Sequence, residues 1–381
     1  MQKITAHRGW RVGLAVALAG ALAAAAPAAS GTGSNHGFPE LQGPRGLDVG
    51  PKGELVVAQS TGEYGVIKSS RHRGKKRFVK LGEVAPGFAP ALDMNRRGQL
   101  FVLTTAGEPG TGGATLYRWT KRTGQKVVAD IAAYQARDTD PYDLEDHPED
   151  SNPYGVAALD DGSALVADAA GNDLLRVKPN GKIYTVARVK PRMVPVPEGL
   201  PSFPDAPPLP PAGTLIPSEA VITSVTVGHD GFWYIGELRG FPGNVGTSQI
   251  WRVHPKAKNA VCDPKRPRKW SCKLYADGFT SIVALDSDKR GALYVAELSK
   301  KGWLAMEFAE DDPEAAVGSV YKLWRNGHKR ELGAGEVILP GDVAVADRGY
   351  RGRGHKGHKG HKGKVYVTTP IFGPGTIKLI R

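Results

Sequence analysis

Three carboxylates, Asp168, Glu237 and Glu297, end three successive copies of one short apolar repeat. Carboxylates held at equivalent positions of neighbouring repeats can converge on a hard cation such as calcium, which takes several oxygen ligands. Asn152, Thr223 and Thr280, just before nearby apolar segments, could add further oxygens. A cation held there would polarise a carbonyl, which is the chemistry of a metal-dependent hydrolase or lactonase. The same side chains could instead cap the turns that follow them through local hydrogen bonds. The position belongs to the repeat, being Gln59, Thr104 and Thr369 in the remaining units, which favours the turn-capping reading. No GxSxG elbow, HExxH or phosphate-binding glycine loop accompanies these residues, and nucleophilic catalysis has no motif.

The repeats that position these residues read GELVVAQ, GQLFVLT, GSALVAD, GFWYIGE, GALYVAE and GKVYVTT, starting at Gly53, Gly98, Gly162, Gly231, Gly291 and Gly363. Each follows a second apolar segment through a tight-turn signal such as Asp160-Asp161 or His229-Asp230. A third strand follows in every unit with a basic residue in register: Lys68, Arg118, Arg176, Arg252, Lys322 and Lys378. A fourth, more variable strand is visible in all units but the last. Sixfold repetition of a four-stranded unit predicts an all-β fold, a six-bladed β-propeller. The last unit runs out of chain, so the segment from His36 to Leu41 is expected to supply its fourth strand and close the ring. Small residues at the start of the inner strands (Gly46, Ala91, Gly155, Ser224 and Ser281) fit close packing around a central channel, with Asp342 as the departure.

In a propeller the connections entering the inner strand and those leaving the second strand share one face. That face receives Ala132 to Ser151, whose stretch from Asp138 to Asp150 holds seven acids and no Lys or Arg. It also receives the proline-rich Lys190 to Pro217 and insertions at Gly107–Gly113, Arg239–Thr247 and Ser299–Gly318. Long loops on a rigid scaffold are where binding is placed. Asp143, Glu145, Asp146, Asn152, Tyr154, Thr223 and Thr280 are its candidate ligand-contacting residues, with Phe241 and Trp303 as aromatics that could line the surface. The acidic stretch lacks the glycine and spacing of an EF-hand loop. The opposite face takes two basic insertions, His254 to Lys273 and Arg348 to Lys364. The second carries an HKG tract whose His355, His358 and His361 could bind a transition metal or remain a solvated basic loop.

Residues 1–28 read as a signal peptide: Lys3, Arg8 and Arg11, an apolar run from Val12 to Ala26, and small residues at Ala26-Pro27-Ala28. Residues 29–381 then form a single propeller domain that is secreted, with no transmembrane segment after cleavage. The 381-residue chain carries a net charge of +13. Export argues against nucleic acid as its partner, leaving an extracellular protein, a glycan or a small ligand, bound by a monomer. The two cysteines, Cys262 and Cys272, form a local disulfide in an exported chain or remain free thiols.

The stretch DSNPYGVAALDDGSALVADAAGNDLLRV, with ITSVTVGHDGFWYIGELRGFP and YADGFTSIVALD, resembles the ScyD/ScyE family of exported bacterial propellers, from about Gly43 to Arg381. Its units resemble NHL repeats more broadly. The resemblance implies a six-bladed NHL-like fold and brings no catalytic set with it. The expectation is therefore a binding or scaffold protein working through its loop-rich face. The alternative is a calcium-dependent hydrolase or lactonase; no other cofactor is implied.

Overall fold

The computed structural model describes residues 37–69, 75–200, 208–308, 312–346 and 363–381. Six sheets, each built on consecutive antiparallel strands, succeed one another along the chain. Blade 1 runs Leu47–Val49, Leu55–Ala58, Glu63–Ser69 and Lys76–Glu83, from the inside outward. Blade 2 is Ala91–Met94, Leu100–Leu103, Thr115–Thr120 and Gly124–Asp130. Blade 3 is Pro153–Ala158, Ala164–Asp168, Asp173–Val177 and Ile183–Val189. Blade 4 is Ile222–Val227, Trp233–Glu237, Ser248–Val253 and Cys272–Phe279. Blade 5 is Ile282–Ser287, Leu293–Glu297, Ser319–Leu323 and Lys329–Leu332. Blade 6 is Asp342–Val345, Val365–Thr369 and Pro374–Ile380. The first strands touch in a closed cycle, blade 6 returning to blade 1.

The repeat is legible because the second strand of each blade is covered on both faces by its neighbours. Its residues are buried throughout, so the run is continuously apolar rather than alternating. Outer strands such as Lys76–Glu83 face solvent and carry charge. The N-terminal strand Leu41–Gln42 pairs antiparallel with Pro374–Ile380, Leu41 opposite Gly375, and completes blade 6. The ring is thus closed as expected, with His36 outside the described residues.

Close packing at the inner strands is literal. A Cβ on Gly155 would lie 2.7 Å from the Thr223 carbonyl oxygen, and one on Gly46 would lie 2.6 Å from that of Pro90. A bulge in blades 3, 4 and 5 sets the register: Gly155 faces Ala167, Ser224 faces Gly236, and Ala284 faces Ala296. Blade 5 therefore places Ala284, not Ser281, at the small-residue position. Ala284 stands seven residues before Gly291, as Gly155 and Ser224 stand before Gly162 and Gly231, whereas Ser281 breaks that spacing.

Carboxylates tie blade to blade at the channel. The inner edge of each first strand has no further strand to pair with, so its buried N–H groups need other acceptors. Asp48 accepts from Met94 N at 2.7 Å, Asp93 from Ala158 N at 2.7 Å, Asp286 from Val345 N at 2.7 Å, and Asp342 from Leu47 N at 2.9 Å. Each acceptor lies on the blade before its donor around the ring.

One loop also bridges two blades. Ala260–Cys262, from the connection between the third and fourth strands of blade 4, pairs parallel with Ala187–Val189 and adds a fifth strand to blade 3. A disulfide joins Cys262 to Cys272, whose Cα atoms are 5.1 Å apart. No helix among the described residues is long and apolar enough to cross a membrane. The segment 1–28 and the HKG tract fall outside the described residues.

Removing the carboxylate of Asp286, which is 1% exposed, strands the Val345 N–H in the ring interior. Asp286→Ala should lower unfolding free energy by about 1–3 kcal/mol in urea titration; an unchanged midpoint would show that the inter-blade bond contributes nothing.

Candidate functional site

The three repeat-end carboxylates all lie at the loop-rich face, where the second strand ends beside the start of the first: Pro153 faces Asp168, Ile222 faces Glu237 and Ile282 faces Glu297. Asp168 is fully buried and accepts from Ser151 Oγ (2.7 Å), Asn152 N (2.8 Å), Ala170 N (3.2 Å), Gly171 N (3.3 Å) and Gln135 Nε2 (3.3 Å). Gln135, on the short helix Ala132–Gln135, also donates to Asp173 at 3.2 Å. Burial, with the Asp168 charge beside it, pushes Asp173 well above the usual carboxylate range. Glu297 accepts from Thr280 N (2.7 Å) and Ser319 Oγ (2.6 Å). Asp168 thus caps the turn that follows it, whereas Glu297 ties the approach to its blade's first strand to the third strand. Among the described residues no group of three or more His, Cys, Asp or Glu is placed to hold a metal ion, so the structure does not bring Asp168, Glu237 and Glu297 together as one ligand set.

Glu237 serves a buried side-chain network instead. It accepts from Trp251 Nε1 at 2.6 Å and forms an ion pair with Arg239, both partners being essentially inaccessible to water. Arg239 in turn donates to the carbonyls of Ser218 (3.1 Å) and Glu219 (2.9 Å), and its own carbonyl accepts from Trp303 Nε1 at 2.9 Å. The pair fastens the foot of the proline-rich insertion and the insertion of blade 5 to blade 4.

The channel mouth on this face is closed by Arg45. Its guanidinium donates to the carbonyls of Ala89 and Tyr154 and lies 3.9 Å from the Tyr154 ring centre and 5.0 Å from that of Phe88. The space below, lined by Asp93, Thr226, Asp286, Ser287 and Asp342 among others, has a volume of about 40 Å3. That holds a few waters and excludes a sugar-sized substrate. Burial pushes the Asp342 carboxyl up to about 7.

Of the proposed contact residues, Asn152, Tyr154, Thr223 and Thr280 are buried and occupied within the protein. Asn152 Oδ1 accepts from Ala106 N (3.2 Å), Thr223 Oγ1 donates to the Ile282 carbonyl, and Thr280 Oγ1 accepts from Gly246 N (3.0 Å). Tyr154 and Trp303, expected as surface aromatics, are 2% and 1% exposed. The cation above Tyr154 and the hydrogen bond to Trp303 account for their burial. Phe241 is half-buried. Asp143, Glu145 and Asp146 remain half-buried or exposed in the acidic loop, where Asp143 accepts from Glu145 N (3.3 Å) and His147 N (3.1 Å).

The surface between these residues was not visible in the repeat pattern. The proline-rich insertion folds into a hairpin, Arg192–Pro195 against Leu215–Ser218, with Met193 opposite Pro217 and Pro195 opposite Leu215. Those four apolar residues share the exposed side, while Val194 and Ser218 are buried beneath. Asn244 Nδ2 donates to the Pro195 carbonyl at 2.7 Å, bringing the loop that carries Val245 against the hairpin. The acidic loop is fastened to the foot of the hairpin: Leu144 N donates to Glu219 Oε1 at 2.7 Å. Asn172 Nδ2 bridges Asp140 (3.0 Å) and Glu219 (3.3 Å). Burial, then the charges of Asp140 and Asp143, push Glu219 up to about 7.

The chain is a six-bladed β-propeller. No family model matches the sequence, and no curated protein matches it. Among solved structures it is similar to virginiamycin B lyase from Staphylococcus aureus, at 15% identity over 90% of this chain and 99% of that one, with a TM-score of 0.46. It is similar to PQQ-bound aldose sugar dehydrogenase from Streptomyces coelicolor, at 13% identity over 91% and 95%, TM-score 0.48. It is also similar to a gluconolactonase from Xanthomonas campestris, at 10% identity over 90% and 88%, TM-score 0.49. Likeness at this level carries no activity across.

Glu219 binds a proton in the folded protein up to pH of about 7, against 4.5 for its ordinary value. The folded state holds more protons in that window, so stability falls as pH rises through it. Glu219→Gln, which keeps the acceptor for Leu144 N, should gain about 2 kcal/mol over the parent at pH 8 and lose that advantage near pH 5. Urea titrations at both pH values test this; a pH-independent difference would refute it. Glu237→Gln leaves the buried Arg239 without its counter-charge and should cost about 3 kcal/mol. Added calcium should leave the parent's thermal unfolding midpoint unchanged if the carboxylate serves Arg239 and Trp251 rather than a cation.

Proposed function

We propose that this chain is an exported binding protein that takes a partner on its loop-rich face, over the paired strands Arg192–Pro195 and Leu215–Ser218. The observation that carries this reading is the grouping of exposed apolar side chains there. Leu144, Met193, Leu215 and Val245 are 43%, 53%, 60% and 60% exposed and come from three separate insertions. Met193, Leu215 and Val245 belong to segments in direct contact, and Leu144 is tied to the same hairpin through Glu219. Apolar residues grouped on insertions, beside acidic side chains and on a rigid scaffold, are what a recognition surface requires. The narrow channel and the engagement of the three carboxylates by internal hydrogen bonds favour surface recognition over a reaction inside the ring. The resemblance to the ScyD/ScyE family is in keeping with an exported propeller of this kind, and the disulfide with an oxidising compartment.

Met193→Ser, Leu215→Ser and Val245→Ser combined should leave the unfolding midpoint nearly unchanged, because all three side chains face water. The same triple variant should lose the partner that the parent captures by cross-linking in culture medium. Equal capture by parent and variant would place recognition elsewhere.

A further inference from the structure

The face opposite the hairpin carries a second surface. The connection between the third and fourth strands of blade 4 leaves at Val253 and returns at Cys272, which face each other across the sheet end remote from Glu237. Lys256, Lys258, Lys265, Arg266, Arg268 and Lys269 are exposed on this loop. None of them forms a salt bridge among the described residues. The acid within the loop, Asp263, faces Lys190 of blade 3 at 3.6 Å. Trp270 stands among these cations, 70% exposed.

The loop is held in shape. The disulfide closes it, Ala260–Cys262 is hydrogen-bonded to blade 3, Arg266 N donates to the Asp263 carbonyl (2.8 Å), and Leu274 N donates to the Pro267 carbonyl (2.8 Å). The Trp270 ring rests edge-on against His254 at 5.2 Å, and His254 rests on Phe232 at 5.2 Å. Six unneutralised cations and a fixed, exposed indole cost the isolated fold mutual repulsion and apolar hydration. An anionic interface offsets both.

We infer that this loop seats the protein on an anionic phospholipid bilayer, with Trp270 in the interfacial layer and the six cations against the headgroups. Each Lys or Arg near an anionic leaflet contributes roughly 1 kcal/mol, and indole favours the boundary between headgroup and acyl chain. A dissolved polyanion satisfies the cations and leaves the indole in water, whereas a bilayer takes both. In this orientation the hairpin of the proposed recognition surface points away from the membrane.

The test is co-sedimentation of the full chain with vesicles of phosphatidylglycerol and phosphatidylcholine in equal parts, against vesicles of phosphatidylcholine alone. The expected result is binding to the anionic vesicles only, with quenching of tryptophan emission by brominated lipid. Trp270→Ala should remove most of the quenching and weaken partition several-fold. Arg266→Glu with Arg268→Glu should weaken partition by at least about 25-fold, from about fivefold for each cation removed. Because all three side chains are exposed, circular dichroism should show every variant folded. Absence of binding to the anionic vesicles would overturn the proposal. So would partition and quenching unchanged in Trp270→Ala, or full competition by soluble polyphosphate with no lipid quenching, which would assign the loop to a dissolved polyanion.

Discussion

The inner edge of a propeller blade is an unpaired strand facing a narrow channel, and its amide groups must bond to something other than a strand. Here the neighbouring blade supplies the acceptor. Asp48, Asp93, Asp286 and Asp342 each take an amide hydrogen from the next inner strand around the ring. Between blades 3 and 4 Gly155 admits the Thr223–Ser224 segment, and between blades 4 and 5 Ser287 Oγ donates to the Val227 carbonyl at 2.8 Å. These solutions fill the channel with main chain and short polar side chains. Arg45 then crosses the one mouth that the long insertions surround. A centre bonded in this way leaves the rim as the part of the molecule whose side chains are not consumed by the ring.

The rim is organised by buried polar groups that join insertions to one another. Arg239 ties the hairpin foot and the Trp303 segment to blade 4, and Asn172 ties the acidic loop to the same foot. Such groups are costly to bury singly and stable only when their partners are complete. That is why the surface above them can be irregular while its base is fixed.

How much of this was legible in the sequence follows from the range of each interaction. The six second strands are buried on both sides, so their composition alone reveals the ring. The closing role of the first strand followed from counting strands. The disulfide followed from two cysteines close together in a sequence expected to carry a signal peptide. The carboxylates at positions 168, 237 and 297 were legible as a register, but their partners were not. Glu237 faces an arginine two residues away, yet whether that arginine is buried depends on the carbonyls of Ser218 and Glu219. Glu219 and Asn172 are 47 positions apart and belong to no repeat. Tyr154 and Trp303 read as surface aromatics because loops are usually wet; Arg45, contributed by a different blade, covers the first.

Because Leu41–Gln42 pairs with Pro374–Ile380, the earliest strand of the ring cannot be seated until the latest one exists. Five blades can form from local hairpins as their residues become available, each within a short stretch of chain. The sixth joins residues more than three hundred positions apart, so its assembly spans nearly the whole sequence in time as well as in space. A chain delivered from its amino end therefore carries that opening segment without its partner strand until the last residues arrive.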